Sequence, residues 1–135
     1  MNSPLILTKK QLDEMLAHVE SQIPLEACGL LAGKNDQVEK VLPVRNQEQS
    51  PVRFVMDPYE QLQSFEWIDA HGLFLLGIFH SHPAGPEVVS ATDIAEAAYD
   101  VAQVVCSKAD GTWKVRAFRI ENRQVAEIPL LVTEP

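Results

Sequence analysis

The chain has 135 residues, 46% hydrophobic and 22% charged, which is the composition of an ordinary globular protein and the length of one domain. Eleven Lys and Arg against nineteen Asp and Glu leave a net charge of −8. That balance excludes a non-specific nucleic-acid binder and a binder of anionic membranes, because both surfaces would repel it.

The longest apolar run, Gly72 to Phe79, is far short of the roughly 20 residues of a membrane span. Leu5, Ile6 and Leu7 stop at Lys9-Lys10, too soon for the core of an export signal, so a cytoplasmic setting is expected. Cys28 and Cys106 fit a reducing compartment as free thiols, and no CxxC pair offers a four-cysteine metal site. No repeat, low-complexity tract or Gly/Ser linker divides the chain, so residues 1–135 read as a single domain.

The first element is a helix. Thr8 and Gln11 have the spacing of a capping box, and Leu12, Met15, Leu16, Val19 and Ile23 form one apolar stripe that Pro24 ends. Two strands follow, Ala27–Lys34 and Val38–Val44, joined by a turn at Asn35-Asp36. Residues 45–50 read as a polar loop and Val52–Met56 as a third short strand. A second helix is capped by Asp57 with Pro58 at its first position, buries Leu62, Phe65 and Ile68, and stops at Gly72. From Leu73 to His82 both faces of a strand are apolar until its C-terminal end, the pattern of a central strand. Pro83, Gly85 and Pro86 break it, and a third helix is expected from Ser90 to about Ala102. Val104–Ser107, Trp113–Ile120 and Arg123–Ile128 read as strands, with turns at Asp110-Gly111 and Glu121-Asn122. Interleaved helices and strands around a mixed sheet make an α/β protein. The apolar tail Ile128–Val132 is expected to dock on its own domain, with packing on a partner chain as the alternative.

The sharpest chemical feature is His80-Ser81-His82. Two residues apart on a strand, the histidines project to one side and can share an ion, while Ser81 points away. Ser90-Ala91-Thr92-Asp93 follows beyond the Pro/Gly loop and supplies a carboxylate. By itself S-x-x-D is a helix start; beside two histidines it completes the two-His, one-carboxylate set of a hydrolytic zinc site with an open fourth position. A zinc hydrolase also needs a base for the water's proton. Spacing does not choose among nineteen acidic residues, although Glu26, between Pro24 and an apolar strand, is the one marked by desolvation; Glu87 is a further carboxylate to weigh.

His80-Ser81-His82, seven residues, then Ser90-Ala91-Thr92-Asp93 resembles, position for position, the H-[ST]-H-x7-S-x-x-D signature of the JAMM (MPN+) zinc metalloproteases. Residues Pro24 to Leu31 resemble the segment carrying that family's catalytic glutamate. The run from Asn46 to Pro58, with Ser50-Pro51, Phe54 and Asp57-Pro58, is similar to the short stand-alone prokaryotic members. The resemblance implies a cytidine-deaminase-like α/β fold, a mixed sheet flanked by helices. It implies Zn2+ on His80, His82 and Asp93, Glu26 as general base and then acid, and Ser90 as a hydrogen-bond donor to the oxyanion or the water. It also implies an isopeptidase or peptidase acting after the C-terminal Gly-Gly tail of a ubiquitin-like or sulfur-carrier protein.

Two other classes share the fold. A non-catalytic MPN interaction module lacks the ligands, and all of them are present here. A zinc deaminase needs H-x-E and P-C-x-x-C, and neither occurs. A HExxH protease is excluded because the string is absent. The remaining alternative is a broad-specificity zinc metallopeptidase. Cys28, two residues after Glu26, shares its strand face, which raises a redox role near the metal against the plainer reading of a small buried residue.

Overall fold

The computed structural model describes residues 3–134. Among them an eight-stranded mixed sheet has the order β7-β6-β5-β4-β2-β3-β1-β8, with helices on both faces. In chain order the elements are β1 (Leu5–Thr8), α1 (Lys9–Ser21), β2 (Cys28–Lys34), β3 (Gln37–Val44), α2 (Pro58–Ala70), β4 (Phe74–His82), α3 (Ala91–Ala95), β5 (Ala102–Ala109), β6 (Thr112–Glu121), β7 (Gln124–Ile128) and β8 (Leu130–Thr133). No helix among the described residues is long and apolar enough to cross a membrane.

The expected capping box opens α1: Gln11 N–H donates to Thr8 Oγ1 at 3.1 Å while Thr8 N–H donates to Gln11 Oε1 at 2.9 Å. The helix buries Met15 and Val19 against Leu31, Phe79, Val104 and Cys106 on one face of the sheet. On the opposite face α2 places Ile68 over Cys28, Leu30 and Ile78. Alternation along β2 and β4 therefore feeds two separate cores from one pair of strands. Their contact is close: a Cβ at Gly29 would lie 2.3 Å from the Phe79 ring and 2.7 Å from the Leu42 carbonyl oxygen. Only glycine lets β2 approach its neighbours so nearly.

Three expectations about elements change. Val52–Met56 is not a strand; one bridge, Asn46 with Met56, is all the pairing it has, and Val52 is 79% exposed. The third helix ends at Ala95, about seven residues early: Ile94 is its one residue packed on a core cluster, and Val101 and Ala102 reach the core at the approach to and start of β5 instead. Leu62 is exposed on α2, since the stripe through Ile68 and Phe65 reaches Gln61 instead. Two strands were not foreseen as such. β1 is four residues long, and the apolar tail supplies β8, which pairs with β1 in parallel, Leu5 opposite Leu130. The tail thus docks on its own sheet.

The site is positioned by β4. It runs antiparallel to β2 with His80 opposite Cys28, and parallel to β5 with His82 opposite Ser107. A parallel partner requires a crossover, and that crossover is the loop after β4 plus α3. The start of β2 and the crossover thus both arrive at the C-terminal end of β4.

Candidate metal centre

His80 and His82 emerge on the α2 and α3 side of the sheet, 0% and 4% exposed. Asp93 arrives from the first turn of α3, where a second capping box fixes it. Asp93 N–H donates to Ser90 Oγ at 3.0 Å, and Ser90 N–H donates to Asp93 Oδ2 at 2.8 Å. His80 Nε2, His82 Nε2 and Asp93 Oδ2 then form a triangle with edges of 3.1, 3.1 and 3.2 Å.

The protons show what the triangle is for. His82 Nδ1 lies 2.8 Å from the Pro86 carbonyl oxygen, which only accepts, so Nδ1 carries the hydrogen and Nε2 a lone pair. A second histidine nitrogen and a carboxylate oxygen, the latter also electron-rich, meet that lone pair at 3.1–3.2 Å. Three electron-pair donors this close call for a cation between them. The edge of a tetrahedron with bonds of about 2.0–2.1 Å is about 3.3–3.4 Å, so the triangle fits zinc by size and by donor type. With a metal bound there, the Pro86 carbonyl would take the outer-partner role that orients a ligating histidine. His80 Nδ1 is buried without a partner, and its ring is held instead by stacking on Phe54, centroids 4.5 Å apart and 23° between planes.

Electrostatics agree. Burial would raise the Asp93 carboxyl, but the two imidazole rings against Oδ2 and the Ser90 N–H outweigh it and hold Asp93 well below the usual carboxylate range. Burial keeps His80 low and neutral despite Asp93. For His82 burial acts the same way, yet Asp93, the Pro86 carbonyl and Glu26 raise it overall.

Glu26 is the free carboxylate beside this cluster. Ser81 binds both backbone groups of one residue, Ala27: its N–H donates to the Ala27 carbonyl at 3.0 Å and its Oγ accepts from the Ala27 N–H at 2.8 Å. That pairing sets Glu26 beside His82, with Glu26, His80 and His82 offering ligand atoms within 4.8 Å of one another. Asp93 is closer to both histidines, which leaves Glu26 as neighbour and not member of the triangle. Glu26 is 4% exposed, and its Oε1 has no partner among the described residues. Burial pushes the carboxyl up to about 7, against the pull of His82 and with the push of Asp93.

Glu87, the other carboxylate weighed as a base, is turned to β6, where it pairs with Lys114 and Arg116 at 3.4 and 3.6 Å. Cys28 shares the face of His80, but its thiol donates to the Val44 carbonyl at 3.3 Å and burial pushes it up to about 12. It is a packed core residue. A cavity of about 380 Å3 adjoins the cluster, with Asp93 in its wall beside Phe54, Met56, Ile78, Tyr99 and Gln103. Asn46, Phe54 and Pro86 were not foreseen as part of the site. Phe54 stacks and Pro86 accepts from histidine through contacts that no local spacing encodes, and an asparagine in a polar loop carries no signature of burial.

Two histidines and a carboxylate around a cation-sized gap, beside an unpartnered buried carboxylate, make a site of the metallohydrolase class. The chain belongs to the family described as prokaryotic homologues of the JAB domain, which it matches over residues 8–121. A probable TtuB-protein conjugate cleaving protease of Thermus thermophilus is 40% identical over 121 residues, 88% of this chain and 78% of that protein. A CysO-cysteine peptidase of Mycobacterium tuberculosis is 33% identical over 134 residues, 96% of this chain and 92% of that protein. A solution structure of a protein from Desulfitobacterium hafniense superposes with a TM-score of 0.88 at 39% identity, covering 97% of this chain and 94% of that one. The chain has the fold and family of JAMM-type hydrolases.

Proposed function

We propose that residues 1–135 act as one zinc-dependent peptidase domain that hydrolyses the amide bond after the C-terminal Gly-Gly tail of a ubiquitin-like or sulfur-carrier protein. The observation that carries this reading is the His80–His82–Asp93 triangle with Glu26 unpartnered beside it. His80, His82 and Asp93 would hold Zn2+. Bound there, zinc supplies Lewis-acid chemistry, lowering the pKa of water and polarising the scissile carbonyl.

Glu26 takes the water's proton as the oxygen adds to the carbonyl carbon. The same carboxyl then delivers a proton to the departing amine nitrogen as the C–N bond breaks. In the metal-free site burial raises this carboxyl, which favours its taking up a proton. Ser90 Oγ accepts from Asp93 N–H, so its own hydrogen is free to donate to the oxygen that gains charge.

Substrate class rests on two supports. One relative is named a probable TtuB-protein conjugate cleaving protease and another a CysO-cysteine peptidase. A cavity of about 380 Å3 lies beside Asp93, and glycines would let an extended tail approach the cluster closely at no steric cost.

The test mixes zinc-loaded protein with small ubiquitin-like and sulfur-carrier proteins extended beyond Gly-Gly, read by intact mass. Trimming back to Gly-Gly is expected, abolished by chelator. Glu26→Gln should keep its zinc and lose at least about a hundredfold in turnover, since an amide cannot take the proton. Cleavage of generic peptides with indifference to Gly-Gly tails would replace this reading with a broad-specificity metallopeptidase.

A further inference from the structure

We infer that Asn46 is a positioning residue that sets the carboxylate of Glu26, an inference that rests on Glu26 being the base. Glu26 Oε1 has no hydrogen bond among the described residues, so no side-chain partner holds that oxygen and its place depends on the main chain. That main chain is pinned on two sides. On one side stands β4, through the two Ser81–Ala27 hydrogen bonds. On the other stands the segment 46–56, and Asn46 joins it to the base.

Asn46 is 8% exposed, and its side chain makes four hydrogen bonds. Nδ2 donates to the Glu26 carbonyl oxygen and to the Arg53 carbonyl oxygen, both at 3.0 Å. Oδ1 accepts from Glu48 N–H at 3.1 Å and Val55 N–H at 3.0 Å. Both amide hydrogens are used, which leaves the side chain one orientation. Glu26 N–H completes the frame by donating to the Ser50 carbonyl at 2.8 Å.

The same segment carries Phe54, whose ring stacks on His80. One amide side chain therefore ties the Glu26 main chain to the loop that carries Phe54. Serving only to hold the loop would need Oδ1 and one Nδ2 hydrogen. The second hydrogen goes to the residue that does the chemistry.

A displaced base costs rate and leaves metal and substrate binding in place, since neither depends on the proton path. Asn46→Ala removes the whole hub. Asn46→Asp keeps the acceptor for Glu48 and Val55 and loses the donors to Glu26 and Arg53. Both variants should retain wild-type zinc content and KM while kcat falls by about 10–100-fold. The distinguishing measurement is a double-mutant cycle with Glu26→Gln. If Asn46 acts through the Glu26 carboxylate, Asn46→Asp should cost nothing further in the Glu26→Gln background. An equal loss in both backgrounds, a loss of zinc, or failure of both Asn46 variants to fold would overturn the inference and make Asn46 an ordinary structural residue. Full activity of zinc-loaded Glu26→Gln would overturn the proposed base itself, a separate result.

Discussion

At the scale of single residues, the ligand triangle makes the firmest demand. His80→Ala or Asp93→Ala leaves two donors where a stable site uses three, and either variant should lose zinc as well as activity. Metal analysis of purified protein checks this; one full equivalent in either would remove that residue from the ligand set. Glu26 makes a demand on stability. Its carboxyl is raised from 4.5 to about 7 in the fold, so the folded protein holds this proton more tightly than the unfolded chain. Stability from this group is present below about 4.5 and is lost as pH rises through 7. In the metal-free protein, Glu26→Gln removes that loss. The variant should gain on wild type between pH 5 and pH 8, by up to about 3 kcal/mol at about 1.4 kcal/mol per unit. Urea unfolding of both apo proteins at the two pH values measures it, and a constant gap would show that burial does not burden this carboxylate.

At the scale of elements, the register between β2 and β4 is what brings the proposed base and the proposed histidine ligands together. Gly29→Ala drives a methyl into the Phe79 ring and the Leu42 carbonyl, and one of those neighbours must yield. The substitution should destabilise by about 1–3 kcal/mol, as overpacking does, and lower kcat by shifting Glu26 along β4. Thermal unfolding with kinetics checks both; wild-type behaviour would mean the strands part without cost. What could be read in advance follows the same lines. The capping boxes at Thr8 and Ser90, the His-x-His strand end and Asp93 are local patterns, legible because physics acts over three or four residues. Segment 52–56 and the end of α3 were misread because apolar content and alanine propensity are weak beside tertiary context: Phe54 and Met56 pack on the core without strand pairing, and Ala102 belongs to β5. Asn46 was invisible because its partners lie at Glu26, Glu48, Arg53 and Val55, a set no periodicity connects.

At the scale of the whole molecule, the sheet separates its support from its chemistry. β8 and β1 close one side, while β4 lies on the far side of β3 and β2. Deleting residues 130–135 removes the partner of β1 and the packing of Leu130 on the core. It should lower Tm by several degrees with zinc stoichiometry unchanged. Loss of zinc without loss of Tm would contradict that separation. β1 and β8 escaped a pattern-based reading for the same reason they matter, since a four-residue strand means little until its distant partner is known.

The pairing of Ala27 with Ser81 spans 54 residues, whereas His80 and Asp93 are 13 apart. Order of assembly follows from those two spans. Residues 80–93 are a local unit in which the proposed ligands would meet as soon as β4 and α3 do, whereas the proposed proton acceptor, Glu26, would arrive only when the long loop closes. On the proposed ligand and base assignment, an incompletely folded chain would hold its metal before it could cut. The delay would lie in the distance along the chain between what binds and what cuts.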